Sequence, residues 1–111
     1  MNKSSLCPRF EKAMSLLSQR WTGLIIHQLL EGPQRFCTVE TSISISGRVL
    51  SERLKDLEKH GIVIRNVYPE TPVRIEYSLS DKGLALAPVL QEIENWAEHW
   101  IELQDSGNSG K

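Results

Sequence analysis

An amphipathic pattern between Ser46 and Gly61 restricts the fold of this chain more than any other stretch of its sequence. At about 100° per residue, its apolar side chains fall on one face, which suits packing on a core. These side chains are Val49, Leu50, Leu54 and Leu57. Ser46 suits the N-cap of such a helix and Gly61 suits the position just past its end, so we predict a helix over residues 46–59.

The opposite face of this helix carries charged and small polar groups that core packing does not require. They are Arg48, Ser51, Glu52, Lys55 and Lys59. Arg and Lys can contact guanine edges and phosphates, while Ser and Glu can hydrogen-bond to bases. Any isolated amphipathic helix has a solvated face, however, so the neighbouring elements must decide between solvation and DNA reading.

The segments on either side of the helix complete a known motif. The sequence pattern predicts a short helix over residues 37–42, followed by a tight turn. Residues 62–68 and 73–79 predict two strands, joined by a turn at residues 69–72 with a proline at each end. The second strand alternates, with Val73, Ile75, Tyr77 and Leu79 on one side and Arg74, Glu76 and Ser78 on the other. Helix, turn, helix and hairpin together make a winged helix-turn-helix, and in that context we interpret the polar face as a DNA-reading surface.

The DNA-binding candidates follow from this motif: Ser46, Gly47, Arg48, Ser51, Glu52, Lys55, Arg65 and Arg74. The bare backbone at Gly47 would let a phosphate approach the helix N-terminus. Arg65 and Arg74, on the shoulders of the hairpin, are expected phosphate contacts, although each also suits an ordinary strand surface. Glu70 at the hairpin tip would repel phosphate. Arg53 falls near the apolar side, where we expect it to extend along the surface or pair with an acid.

Two predicted helices precede this motif. Pro8 suits the first position of a helix, which places Cys7 at the N-cap. A second helix is predicted from about Arg20 to Glu31. Its inward face is expected to hold Trp21, Leu24, Ile25 and Leu29.

The last predicted element runs from Ser80 to about Leu103, and Pro88 should kink it or mark a late start. Its apolar face is wider than one small domain needs, so we interpret it as a dimer interface. The interface candidates are Leu86, Val89, Leu90, Ile93, Trp96, Ala97 and Trp100.

The bulk properties fit one domain over residues 1–111, with flexible ends at 1–6 and 105–111. The fold class expected is α+β, mainly α: a winged helix-turn-helix with extra N- and C-terminal dimerisation helices. Residues 1–75 hold eleven Lys and Arg against seven Asp and Glu, whereas residues 76–111 hold two against seven. Such a polarised chain can steer an anionic partner to one face.

Several classes of protein are disfavoured by the sequence. The N-terminus has no signal-peptide pattern and no apolar stretch could span a bilayer, so a cytoplasmic location without membrane contact is expected. The three histidines, His27, His60 and His99, lie in separate elements, and His27 is expected to be a core or interface residue. We find no catalytic set, no metal-ligand spacing and no phosphate loop, and therefore predict no enzyme, no metal and no cofactor.

Cys7 and Cys37 are the cysteines of the chain, and thiols are expected in a reducing compartment. At an N-cap, the Cys7 sulfur would face free backbone N–H groups, with Arg9 and Lys12 nearby, and this setting favours the reactive thiolate. A small side chain tucked against the core is the alternative. Cys37 follows Phe36, and we interpret it mainly as a packing residue. A second redox site is the less favoured interpretation.

Several stretches together resemble a known family. They are CPRFEKAMSLLSQRWTGLIIHQLLEGPQRF, ISGRVLSERLKDLEKHGIV and PETPVRIEYSLSDKG, followed by LAPVLQEIENWA. In order and over roughly residues 7–100, they resemble the HxlR family of bacterial winged-helix transcription regulators, relatives of MarR. The details look most like the branch of quinone- and diamide-sensing repressors that contains YodB and CatR.

The resemblance implies a homodimer, held by its first and last helices, that binds a palindromic operator on double-stranded DNA. It also implies that Cys7 is the redox sensor and that a quinone or other thiol-reactive electrophile is a partner. Some relatives have a second cysteine near the C-terminus, but no cysteine follows Cys37 here. A Cys7–Cys7′ or Cys7–Cys37′ bridge, a mixed disulfide and direct alkylation all stay open.

The main hypothesis is therefore a repressor of quinone- and diamide-responsive detoxification genes. In it, the protein leaves its operator when Cys7 is oxidised or alkylated. A winged-helix protein-interaction module, or a ligand-responsive regulator without thiol sensing, is the alternative, and the near-neutral net charge of −1 keeps it open.

Overall fold

The computed structural model describes residues 7–103, which form a mainly helical domain with one antiparallel hairpin. The elements in chain order are α1 Pro8–Leu17, α2 Thr22–Leu29, α3 Phe36–Ile43, α4 Gly47–Lys59, β1 Val63–Tyr68, β2 Arg74–Leu79, α5 Asp81–Leu84 and α6 Ala87–Trp100. This order confirms the predicted winged helix-turn-helix with added helices at both ends. The predicted flexible ends, 1–6 and 105–111, lie outside the described residues.

The core is centred on α2, which contacts α1, α3, α6 and β2. Its buried side chains meet apolar residues from α3, α4, the hairpin and α6. The buried set is Ile25, Ile26, Leu29, Val39, Ile45, Leu50, Leu54, Leu57, Ile62, Val63, Leu79 and Leu90. The predicted apolar face of α4 is confirmed for its three leucines, while Val49 is only partly buried.

Both ends of α4 are fixed by local contacts that the sequence indicated. The Ser46 hydroxyl accepts a hydrogen bond from the Val49 N–H at 3.2 Å, which caps the first turn. At the other end Gly61 has a φ of 72°, a left-handed conformation that glycine adopts without strain. The Lys82 ammonium donates a hydrogen bond to the backbone carbonyl of His60 at 2.6 Å, and this contact joins the start of α5 to the end of α4.

The hairpin pairs Val63 with Leu79 at its base and Tyr68 with Arg74 near its tip. Gln34 extends this sheet by one isolated bridge, because its backbone N–H and carbonyl both bond to Tyr77, at 2.9 and 2.7 Å. That bridge ties the loop before α3 to the wing. Val73, which the alternation grouped with Ile75, Tyr77 and Leu79, lies before β2 and is 57% exposed.

Two helix predictions need correction. The second helix is shorter than predicted, and Leu24 is 54% exposed while its neighbour Ile26 is buried. The last element is two helices, α5 and α6, separated at residues 85–86. Pro88 stands in the first turn of α6, where it marks a late start because a proline there costs no internal hydrogen bond. Leu103 falls beyond the end of α6.

None of the helices within residues 7–103 combines the length and the apolar character needed to cross a bilayer.

Candidate DNA-binding surface and thiol site

The polar face of α4 points away from the core and presents its cations to solvent. The Arg48 side chain is 88% exposed, and its Nε lies 3.9 Å from Glu52 Oε2, too far for a tight ion pair. Lys55, about two turns further along, is exposed, and Ser51 between them is partly exposed. The structure therefore brings these four predicted residues together on one accessible surface.

The N-terminus of α4 has a more crowded setting than predicted. A Cβ on Gly47 would lie 2.9 Å from Glu40 Oε2 and 3.7 Å from Phe36 Cε1, so Gly47 faces α3. Its missing side chain therefore serves the approach of α3 to α4 in addition to any approach of a phosphate. The Ser46 hydroxyl is already engaged as the α4 cap.

The wing requires the main correction, which concerns Arg74. Its guanidinium bonds Glu70 Oε2 at 2.9 Å and Glu76 Oε2 at 2.7 Å. It also stacks on the Tyr68 ring, 4.0 Å from the centroid. Its charge is therefore compensated inside the hairpin, which makes it a poor phosphate ligand. Arg65 is exposed on β1 and remains the wing candidate.

The same contacts change the ionisation of the wing. The hydrogen bond from Arg74 lowers the pKa of Glu70, and its positive charge adds to this effect. The two carboxylates in turn raise the pKa of Arg74. The acidic tip that we expected to repel phosphate is therefore part of a paired cluster.

Arg53 was expected to extend along the surface or to pair with an acid. Within residues 7–103 it forms no ion pair, and its Nε donates a hydrogen bond to the backbone carbonyl of Arg20 at 2.9 Å. Arg20 lies in the loop between α1 and α2. The contact therefore anchors that loop to α4, and the sequence contains no signal for a bond between residues so far apart.

Cys7 occupies the predicted N-cap of α1. Its Sγ accepts a hydrogen bond from the Phe10 N–H at 3.3 Å, and the residue is exposed. Because Cys7 is exposed, the alternative that its side chain packs against the core is wrong. Arg9 and Lys12 are exposed on the following turns and line a cleft of about 840 Å³ between α1 and the end of α4.

Cys37 is exposed at the start of α3, so its interpretation as a packing residue is wrong. Only its neighbour Phe36 packs inward, where its ring lies 6.5 Å from that of Tyr77. The spacing of apolar residues in so short a helix was too weak a signal to show whether Phe36 or Cys37 faces the core.

The predicted dimer face of α6 divides into two sets. Leu90 is buried in the chain's own core, and Leu86 packs against that core. The large side chains of the outer set are between 42 and 68% exposed, and they are Val89, Ile93, Trp96 and Trp100. On α1, Phe10 and Met14 are exposed as well, and no residue of α1 is buried. Apolar helix faces of this extent are typical of an interface.

A contact between α2 and α6 was missed in the sequence. His27 Nε2 lies 2.8 Å from Glu94 Oε2, with both side chains about half exposed. His27 is thus not a core residue.

Within residues 7–103, no three His, Cys, Asp or Glu side chains cluster closely enough to hold a metal ion.

Comparison with known sequences places these features in context. A family model described as HxlR-like helix-turn-helix matches residues 16–105. The HTH-type transcriptional regulator YvaP of Bacillus subtilis (strain 168) is 63% identical over 103 residues, covering 92% of this chain and 95% of YvaP. The transcriptional regulator YodB of the same organism is 50% identical over 104 residues, covering 93% of each chain.

Solved structures agree with these sequences. The reduced form of YodB from B. subtilis superposes with a TM-score of 0.81 at 51% identity, covering 89% of this chain and 98% of that one. Diamide-treated and quinone-bound YodB give TM-scores of 0.74 and 0.75 at 51 and 46% identity, covering 87 and 85% of this chain and 97 and 99% of theirs. The redox regulator HypR in its oxidized form gives 0.79 at 32% identity, covering 87% of this chain and all of that one.

Proposed function

The chain belongs to the HxlR-like helix-turn-helix family and is a transcriptional regulator of that type, not an enzyme, and we propose that it is a thiol-controlled repressor. In this proposal a homodimer binds a palindromic operator. It leaves the DNA when Cys7 is oxidised or alkylated, and the genes released are those that detoxify quinones and diamide-like oxidants.

The observation that carries the DNA-binding part is the exposed cationic face of α4, flanked by the wing. A helix of 13 residues is about 20 Å long, enough to lie in a major groove and present Arg48, Ser51 and Lys55 to base edges. Arg65 on the wing suits the adjacent phosphate backbone. A two-fold dimer would place its α4 helices about one DNA turn apart, or a multiple of it.

Cys7 supports the thiol-sensing part because it is exposed and lies at a helix N-terminus. An exposed sulfur is open to attack on electrophiles, for which the thiolate is the reactive form. A quinone would add to Sγ and become an S-linked hydroquinone after proton transfer, with no other reductant needed. Diamide would remove two hydrogens from two thiols and leave one disulfide. The relatives solved as diamide-treated and quinone-bound forms of YodB support both routes.

The link between Cys7 and DNA would run through α1 and α6. The apolar faces of both helices are exposed in the single chain, and their burial between two copies would join the protomers. A new bond or adduct at Cys7 would change how α1 sits in that interface. A rigid rotation of one protomer against the other would then move the two α4 helices out of register with their half-sites.

The experiment is a fluorescence-anisotropy titration of the DNA upstream of the gene. It uses the parent, Cys7→Ser and Cys37→Ser, each in reductant and after diamide or benzoquinone. The proposal expects binding by all three proteins in reductant, loss after oxidant for the parent and Cys37→Ser, and retention for Cys7→Ser.

Two outcomes would change the conclusion. Loss of oxidant response in Cys37→Ser alone would transfer the sensing role to Cys37. Binding by the parent that ignores both oxidants would leave a DNA-binding regulator without thiol sensing.

A further inference from the structure

The attachment of α6 to the rest of the domain is narrow. Within the described residues, α2 is the element that α6 contacts most, and Leu90 is the one α6 residue that is buried. Beyond Leu90 the helix continues to Trp100 with its large apolar side chains exposed. The direction of this outer half is therefore set by few contacts.

The polar contact between His27 and Glu94 lies at the point where α6 leaves the domain. Glu94 stands one helical turn past Leu90, and its Oε2 lies 2.8 Å from His27 Nε2. His27 follows the buried pair Ile25 and Ile26, so its backbone is fixed in the core. The pair joins an anchored helix to a loosely attached one.

Apolar packing beside this pair is incomplete. An open groove of about 410 Å³ separates α6 from α2 and the end of α1. Its apolar lining consists of Leu17, Trp21, Leu24, Leu90 and Ile93, and His27 and Glu94 lie on its border. Close-packed side chains normally fix the angle between two helices. Where apolar side chains leave a gap between two helices, a polar contact across the gap has more influence on the angle between them than it would in a close-packed interface.

We propose that His27 and Glu94 are a positioning pair that sets the angle of α6 and thereby the spacing of the two DNA-reading helices in the dimer. This inference rests on the proposed function. From Glu94 to Trp100 the helix rises about 9 Å, so a small tilt at the pair moves the outer interface by more than it moves Leu90. Because both side chains are about half exposed, the pair adds little to the stability of the fold and acts mainly on geometry.

The test uses operators in which the distance between the half-sites is varied. A duplex selected by the parent from a random pool is remade with one or two base pairs added or removed between the half-sites. Dissociation constants are measured in reductant for the parent, Glu94→Ala and Glu94→Gln. Glu92→Ala is the matched control, because it removes a carboxylate from another face of the same helix.

The parent and Glu92→Ala are expected to prefer one spacing by about tenfold or more. Glu94→Ala is expected to bind several spacings within about threefold of one another. Glu94→Gln is expected to fall between them, since it keeps an acceptor for the His27 N–H. The double variant His27→Glu with Glu94→His keeps the pair with its two residues exchanged, and it should recover the spacing preference. If Glu94→Ala lost the preference only because the fold was loosened, the double variant would not recover it.

Three outcomes would overturn the inference. An unchanged spacing preference in Glu94→Ala, with an unfolding midpoint like that of the parent, removes any positioning role. A parent that binds every spacing equally overturns it as well, while the DNA-binding proposal stands. A parent that binds no duplex overturns both.

Discussion

The side chain of Arg48 is 88% exposed, whereas that of Arg74 is 27% exposed and held by two carboxylates. Both residues were DNA-binding candidates because of their charge and their predicted places, Arg48 on the polar face of α4 and Arg74 on the shoulder of the hairpin. Their surroundings separate them, because a guanidinium already paired with Glu70 and Glu76 has little left to offer a phosphate. Arg48 keeps its donors free for a base edge or the backbone.

The first prediction concerns the two exposed cations of α4. Arg48→Ala and Lys55→Ala should each weaken binding to the operator by about 1–3 kcal/mol, because in the proposed complex each residue would contact the DNA in the groove. Titration of the operator and of a scrambled duplex would show whether the loss is specific. Lys12→Ala, which removes an exposed cation from α1, is the control and should bind like the parent. Equal binding by all three variants would mean that another face reads the DNA.

At the residue scale, the sequence was informative wherever a side chain acts within its own helix. The Ser46 cap, the Cys7 cap and the leucines of α4 all follow from local spacing. Arg53 and His27 could not be placed in this way, because their partners Arg20 and Glu94 come from other parts of the chain. The same holds for Cys37, since a helix of eight residues leaves its inward face ambiguous.

At the scale of elements, the wing is stabilised on one face by polar contacts. Asn66 donates to the Ser78 hydroxyl at 3.1 Å, and Arg74 joins Glu70, Glu76 and the Tyr68 ring. Two-stranded hairpins are marginal by themselves. These contacts therefore contribute to holding the wing tip in place. The alternation of the second strand placed Arg74 and Glu76 on one side, whereas Glu70 comes from the turn, where the alternation does not apply.

The second prediction is that acid loosens the wing tip. Because the hydrogen bond from Arg74 lowers the pKa of Glu70, the pair contributes its full stabilisation above the unfolded-state pKa of Glu, about 4.3. That contribution is lost as the pH falls through the lower pKa of the folded state. Amide exchange or backbone chemical shifts of residues 68–74 should therefore stay constant from pH 7 to 5 and change below that range.

Glu70→Gln is the control for this titration, because it removes the ionisable group and keeps the size of the side chain. In this variant the acid-induced step at the wing tip should be absent. A step of the same size in Glu70→Gln would assign it to another carboxylate.

At the scale of the whole molecule, charge is unevenly distributed along the chain. The surplus of Lys and Arg lies in residues 1–75, which contain α4 and β1, and the surplus of Asp and Glu lies in residues 76–111, which contain α6. The exposed apolar side chains of α1 and α6 lie at the two ends of the described chain. This arrangement suits a dimer that presents a basic side to DNA. Composition and periodicity predicted this arrangement, and Pro88 indicated the late start of α6, but the separate short helix α5 was not predicted.

The salt dependence of DNA binding by the reduced protein is the sharpest test of the DNA-reading role proposed for α4. Anisotropy titrations of the operator and a scrambled duplex, at several salt concentrations, give the affinity for each. The account predicts that the operator binds more tightly at every concentration. It also predicts that the logarithm of the association constant falls linearly with the logarithm of the salt concentration, by roughly 0.9 per phosphate contacted. An absence of operator preference together with a slope near zero would contradict the DNA-reading role of α4 and favour a protein-interaction module.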